Sequence, residues 1–272
     1  MRWGRTLLQA LTLSLLISCA HALKEPPPLA SLGAGQPESA APKDIDSLLR
    51  RAEFLYAKRA LAEAREAAAL FLQAARADTS RVEGLVGAVE AQVWLADHEP
   101  EAVAREKAAS EAVYAAQWCQ RIDSASAACD YWLGAALGVQ ARERRATALD
   151  ALPLIEAAFQ RAAERNPSLE DGGPHRALAL LYARAPGWPT GPGDPDRALE
   201  EARKAVELSP TYPPNQLALG ETLRLTGSEG EAHEAFSRAL ELATARQGAH
   251  DPDASEWTQE AQQALAGKSH HP

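Results

Sequence analysis

Between Tyr212 and Leu242, seven positions carry the residues that close helix packing demands: Leu219, Gly220, Leu223, Gly227, Ala232, Phe236 and Ala239. Residues three, four and seven apart share one helix face, so the set describes two helices joined near Gly227. The pattern returns upstream. Ala198, Ala202, Ala205 and Pro210 repeat the second-helix positions, with Tyr182 on the first helix. Phe159, Ala162 and Pro167 repeat them again, preceded by Tyr131-Trp132-Leu133-Gly134 and Leu137. Two fainter units come earlier, one with Ala67, Phe71 and Ala74, the other with Ala88 followed by Ala108, Ala112 and Ala115. A recurring hairpin cannot bury its apolar face alone and must stack on its neighbours. The chain is therefore expected to be all-α, a solenoid of four to five helical hairpins. Helices should cover most of residues 45–265, with a last one near Ser255–Leu265 as a cap.

Composition agrees. Alanine supplies 59 of the 272 residues, aromatic residues make 6%, and β-branched runs are almost absent. Alanine is the best helix former and lets helices approach closely, which favours packed helices over a sheet. Small residues where the helices cross, and an aromatic filling the space between neighbouring hairpins, resemble the tetratricopeptide repeat. The formal charge of -9, without a basic cluster, excludes nucleic acid as a natural partner. A mean hydropathy of -0.30 excludes a polytopic membrane protein.

The first residues read as an address. Arg2 and Arg5 precede the apolar stretch Leu7 to Ile17, followed by Ser18 and Cys19. This is a positive region, a short apolar core and a small-residue cleavage site, so 1–18 are expected to be a signal peptide. Leu16-Ile17-Ser18-Cys19 resembles the bacterial lipobox, which implies cleavage before Cys19 and its lipidation; the alternative is an ordinary signal with a chance cysteine. Acyl chains on that residue would hold the protein to a membrane. Ala20 in place of Asp favours, by the same resemblance, the periplasmic side of the outer membrane. Residues 19–44, with five prolines and two glycines after Lys24, read as the lipidated cysteine and a Pro-rich tether. Export puts Cys119 and Cys129 in an oxidising compartment, where they form a disulfide or remain two buried thiols. Their number and spacing do not suit zinc. The repeat domain is placed at 45–246, and 247–272 at a capping helix and disordered tail.

No catalytic constellation is visible, so the chain is not expected to be an enzyme, and no cofactor or metal is expected. His98-Glu99 and His233-Glu234 begin like zinc-protease helices, but Ala102 and Ser237 stand where the second histidine belongs. No phosphate loop or nucleophile elbow occurs. Two clusters exceed the needs of packing. Asp171-Gly172-Gly173-Pro174-His175-Arg176 opens a helix, where Arg176 either meets a carboxylate or anionic ligand or simply belongs to a helix start. The loop from Pro186 to Pro195 holds four prolines and three glycines around Trp188, a rigid platform of the kind that carries recognition.

These motifs, with Cys129-Asp-Tyr131-Trp132-Leu133-Gly134, the Pro186-Gly187-Trp188-Pro189 loop before Asp194, and Tyr212-Pro213-Pro214-Asn215, resemble the T component of tripartite ATP-independent periplasmic (TRAP) transporters. The resemblance covers roughly residues 45–245. It implies a lipoprotein of four hairpins, a homotrimer, an apolar channel in each protomer, and association with the periplasmic solute-binding P component. It also implies hydrophobic, lipid-like ligands and a role for Tyr131, Trp132, His175, Arg176, Trp188, Asp194, Tyr212 and Asn215 in binding. Channel candidates are Trp94, Trp118, Tyr131, Trp132, Tyr182 and Trp188, unless they only fill space between helices. The alternative function is a tetratricopeptide scaffold binding proteins at the cell envelope.

Overall fold

The computed structural model describes residues 21–33 and 44–267. Among them are eleven α-helices: α1 (Ile45–Tyr56), α2 (Leu61–Ala77), α3 (Glu83–His98), α4 (Ala102–Ile122), α5 (Ala127–Glu143), α6 (Ala148–Arg165), α7 (Gly173–Arg184), α8 (Pro195–Leu208), α9 (Pro213–Leu225), α10 (Glu229–Gly248) and α11 (Ala254–Leu265). They form five antiparallel hairpins and a closing helix, and α10 runs two residues past the expected domain limit at 246. None is long and apolar enough to cross a membrane.

Local chemistry sets the ends. Asp44 and Ser126 accept hydrogen bonds from the backbone amides of Ser47 and Cys129, capping α1 and α5. After α9 the chain turns at Gly227, whose φ of +80° only glycine adopts cheaply, and the Ser228 amide returns to the Leu223 carbonyl. A disulfide between Cys119 and Cys129, with Cα atoms 5.4 Å apart, staples the end of α4 to the start of α5.

The hairpins lock by seating a phenylalanine ring on a bare stretch of helix. A Cβ atom on Gly87, Gly134 or Gly220 would fall 2.5 to 2.6 Å from the ring of Phe71, Phe159 or Phe236 respectively. Phe159 and Phe236 seat within their own hairpins, α6 on α5 and α10 on α9, while Phe71 on α2 seats on the next hairpin. The expectation that the aromatic always fills space between hairpins holds only for Phe71. The alanines between these seats are almost fully buried, including Ala88, Ala112, Ala158, Ala202 and Ala239.

Odd-numbered helices also touch the next odd-numbered helix, from α1–α3 to α9–α11, whereas the even-numbered ones do not pack on each other in this way. The odd helices therefore line the inner side and the even helices form the outer side. Winding brings the last helix back to the first hairpins: Arg59, just after α1, holds Asp253, just before α11, through two hydrogen bonds of 2.7 and 3.0 Å. His98 at the end of α3 approaches Glu256 of α11 to 3.8 Å. The apolar core is split meanwhile, with one cluster reaching from Ala22 to Ala198 and a second in α9, α10 and α11.

Residues 21–33, read from the sequence as part of a free tether, are instead packed on the outer side. Ala22, Leu29 and Leu32 are buried. The Trp118 indole donates to the Pro27 carbonyl at 2.8 Å, Arg121 binds Glu25, Arg76 donates to the Leu32 carbonyl, and the Ala22 amide donates to Asp150 at 2.7 Å. A proline-rich strand has no amides to spare for regular structure, yet its carbonyls remain free acceptors, and Trp118 and Arg76 use them.

Substituting Gly220→Ala should destabilise by about 1 to 3 kcal/mol, because its methyl collides with Phe236. Urea unfolding of the single variants and of G220A/F236L checks this: the double variant should lose less than the sum of its parts.

Candidate functional site

The inner side gathers side chains that packing does not require. Three consecutive residues before α7 take left-handed backbone conformations: Glu170 (φ 48°), Asp171 (φ 56°) and Gly172 (φ 80°). For the two non-glycine residues this costs on the order of 1 to 2 kcal/mol each. A latch holds the strained turn. Asn215, fully buried on α9, points its amide nitrogen at the carbonyls of Asp171, Ala205 and Ser209 at 2.8 to 3.0 Å. Its oxygen accepts from Arg176 at 2.8 Å, and Ser209 donates to the Asp171 carboxylate at 2.7 Å. Arg176 also donates to the Glu170 carbonyl and hydrogen-bonds the Tyr131 hydroxyl, and its charge acts on the Glu170 carboxyl, so the helix start and a carboxylate neighbour both describe it.

Arg176 lies 5.0 Å from the centroid of the Tyr212 ring, and Arg246 stands 5.2 Å from the same ring. Trp257 of α11 meets Tyr212 edge-on at 5.4 Å. Tyr131 of α5 joins from the other side. Its ring rests against Gly173, where a Cβ would come within 3.1 Å, and it contacts Trp132 and Phe159. Burial raises both phenols, Tyr212 to about 12, against the opposing pull of Arg176.

Carboxyl groups lie against this aromatic and arginine group, Glu170 by Arg176 and Glu90 within the field of Tyr131. Burial, reinforced by the negative charge of Glu170, pushes Glu90 up to about 7, while Arg59 opposes the rise. Burial raises Glu170 as well, with Arg176 pulling the other way. Arg59 itself adopts φ 49°, which lays its guanidinium 4.0 Å from the Tyr56 ring centroid while it grips Asp253. Nearby, His98 stacks on Trp94 at 3.9 Å. The inner side thus offers aromatic faces, two arginines near Tyr212 and two carboxyl groups that resist ionisation.

Of the residues singled out in sequence, Tyr131, Arg176, Tyr212 and Asn215 come together here. Trp132 adjoins Tyr131, with its indole N–H buried and lacking a hydrogen-bond partner. The others have different work. His175 donates toward α8, where Nδ1 lies 2.6 Å from Glu201. Burial works to raise Glu201, but hydrogen bonds from His175 and Lys204 outweigh it and hold the carboxyl low. Asp194 caps α8, accepting from the amides of Asp196 and Arg197 at 3.0 and 3.1 Å. Trp188 is 91% exposed in the loop between α7 and α8. Trp118 lies on the outer side under Pro27, and Tyr182 is buried among Glu156, Gln160 and Arg197, so neither lines the inner face. Cys19 lies outside the described residues. Glu90, Glu170, Asp253 and Trp257 were missed: each occupies an ordinary polar or helix-start position in sequence, and only the closure of the solenoid assembles them.

Among the described residues no group of three or more His, Cys, Asp or Glu side chains is placed to hold a metal ion. A cleft of about 490 Å³ between α9, α10 and α11, lined by Arg224, His233, Phe236 and Leu265, shares no lining residue with this group.

No family model matches the sequence, and no curated protein matches it. Solved structures do. A thermophilic tetratricopeptide-repeat protein from Thermus thermophilus, TTC0263, superposes with a TM-score of 0.60 at 21% identity, covering 80% of this chain and 98% of that one. The MamA protein gives 0.46 at 20% identity, covering 75% and 94%. YrrB, described as a tetratricopeptide protein with an unusual peptide-binding site, gives 0.44 at 19% identity, covering 74% and 87%. The chain has the tetratricopeptide-repeat fold.

The raised Glu90 sets a pH dependence. Between the ordinary carboxylate range and about 7 the folded state holds a proton that the unfolded state has released, so stability falls as pH rises through that window. Glu90→Gln should flatten this fall, matching the parent below about pH 4.5 and exceeding it at pH 8, as read from urea midpoints across pH. Asn215→Ala, which strands three carbonyls and releases the strained turn, should cost about 2 to 4 kcal/mol in the same assay.

Proposed function

We propose that the protein is a non-enzymatic, lipid-anchored periplasmic binding module of the TRAP T-component kind, whose inner side receives a hydrophobic, acid-bearing ligand and which works with a solute-binding P component. The observation that carries the reading is the group of Tyr131, Tyr212 and Trp257 with Arg176 and Arg246, enclosed where α11 returns to α1 and α3. Aromatic faces suit the apolar body of such a ligand, and the guanidinium groups suit its carboxylate. The leader-like Leu7–Ile17 stretch with Cys19 supports lipid anchoring in the periplasm, at the outer membrane. The motifs around Tyr131, Arg176, Trp188 and Asn215 support the transporter association and a trimer.

A tetratricopeptide scaffold that binds a protein or peptide is the second reading, favoured by the fold shared with TTC0263. Glu90 and Glu170 would then receive a basic side chain of the partner. In either reading Trp188 stands 91% exposed on the loop between α7 and α8.

Native mass spectrometry of the full chain, purified from its host in mild detergent, separates the two. The first reading expects a trimer carrying apolar acids that diminish in Tyr212→Ala without loss of helical signal. A ligand-free monomer would transfer the assignment to the scaffold.

A further inference from the structure

Among the described residues, the large apolar side chains left exposed are Phe54, Val103, Leu149, Trp188, Leu208 and Leu225. Three of them lie on consecutive hairpins at one edge, where odd helices turn into even ones: Val103 in the first turn of α4, Leu149 in the first turn of α6, and Trp188 between α7 and α8. They are 81%, 62% and 91% exposed. Ion pairs from Arg105 to Glu143 and from Arg144 to Glu106 join the start of α4 to the segment entering α6. The Trp188 loop abuts the same helix, since a Cβ on Gly191 would lie 3.0 Å from Leu152. The row is thus continuous, and Glu106 and Glu143 beside it are already paired.

The N-terminal chain leaves the described body in the middle of this row. The Ala22 amide is bound to Asp150, the neighbour of Leu149, and His21 lies 3.9 Å from the same carboxylate. Because Ala22, Leu29 and Leu32 are buried, this exit does not swing. Only Ala20 separates His21 from Cys19, two peptide steps with a reach of at most about 7 Å. A lipid on Cys19 would enter the bilayer beside Leu149, with no spacer to lift the body away. Exposed Arg145, which has no ionic partner among the described residues, stands at the same place.

We propose that the edge carrying Val103, Leu149 and Trp188 rests on the lipid bilayer, with its apolar side chains at headgroup depth and Arg145 against lipid phosphates. Tryptophan suits that interface, with an apolar ring and one polar N–H. Arginine meets phosphate there. The placement rests on the lipidation of Cys19 in the function proposed above.

Full-length protein processed in cells and reconstituted into phosphatidylethanolamine–phosphatidylglycerol vesicles (3:1) tests it. A nitroxide label is placed on V103C or L149C, with L208C at the opposite edge as control; all three positions are exposed. Flotation reports anchoring, and power saturation with oxygen and a water-soluble nickel chelate reports depth. The labels at 103 and 149 should meet the nickel chelate several-fold less than the label at 208. Flotation with equal nickel access at all three overturns the edge placement and leaves the anchor standing. Failure to float overturns both.

Discussion

A phenylalanine ring laid on a helix that lacks a side chain is the contact on which the rest of this protein depends. Gly87, Gly134 and Gly220 leave no room for even a methyl group beside Phe71, Phe159 and Phe236. Close approach of this kind lets alanine, with little surface of its own, fill most of the core. The ring supplies the apolar area that alanine lacks, and the glycine supplies the fit. Hairpin pitch follows from those seats, and pitch decides where α11 arrives after five hairpins. The inner site exists because that arrival brings Asp253 to Arg59.

The repeat was legible in sequence where seat and ring share one hairpin of standard length. Gly220 and Phe236 show it plainly. Phe159 and Gly134 lie further apart because α5 continues to Glu143 and a short turn intervenes before α6. Phe71 seats on a glycine that follows it rather than precedes it, so the first unit looked faint although its packing is as tight. The prolines of residues 26–28 rule out helix there, but that does not reveal whether the segment floats or docks. Docking was decided by Trp118, a residue far away in sequence with an N–H that needed a carbonyl.

Site residues divide the same way. Arg176 stood out in the Asp171–Arg176 cluster and Asn215 in the motif after Tyr212, and they prove to be the latch on a strained turn. Asp194 and His175 stood out equally and serve a cap and an ion pair. Composition alone does not separate a polar residue that braces a turn from one that meets a ligand. Glu90 drew no notice because a glutamate on a helix face is ordinary until other chain segments remove its water.

The link between Arg59 and Asp253 has a consequence for how the molecule comes apart. An open solenoid is a row of neighbours that frays from its ends, each hairpin melting with little regard for distant ones. Joining the first hairpin to the last helix turns the row into a ring, in which neither end is free to fray until the join breaks. Since the apolar core is divided into two clusters, the bidentate Arg59–Asp253 pair, with His98 beside Glu256, makes the stability of α1 and of α11 one shared quantity.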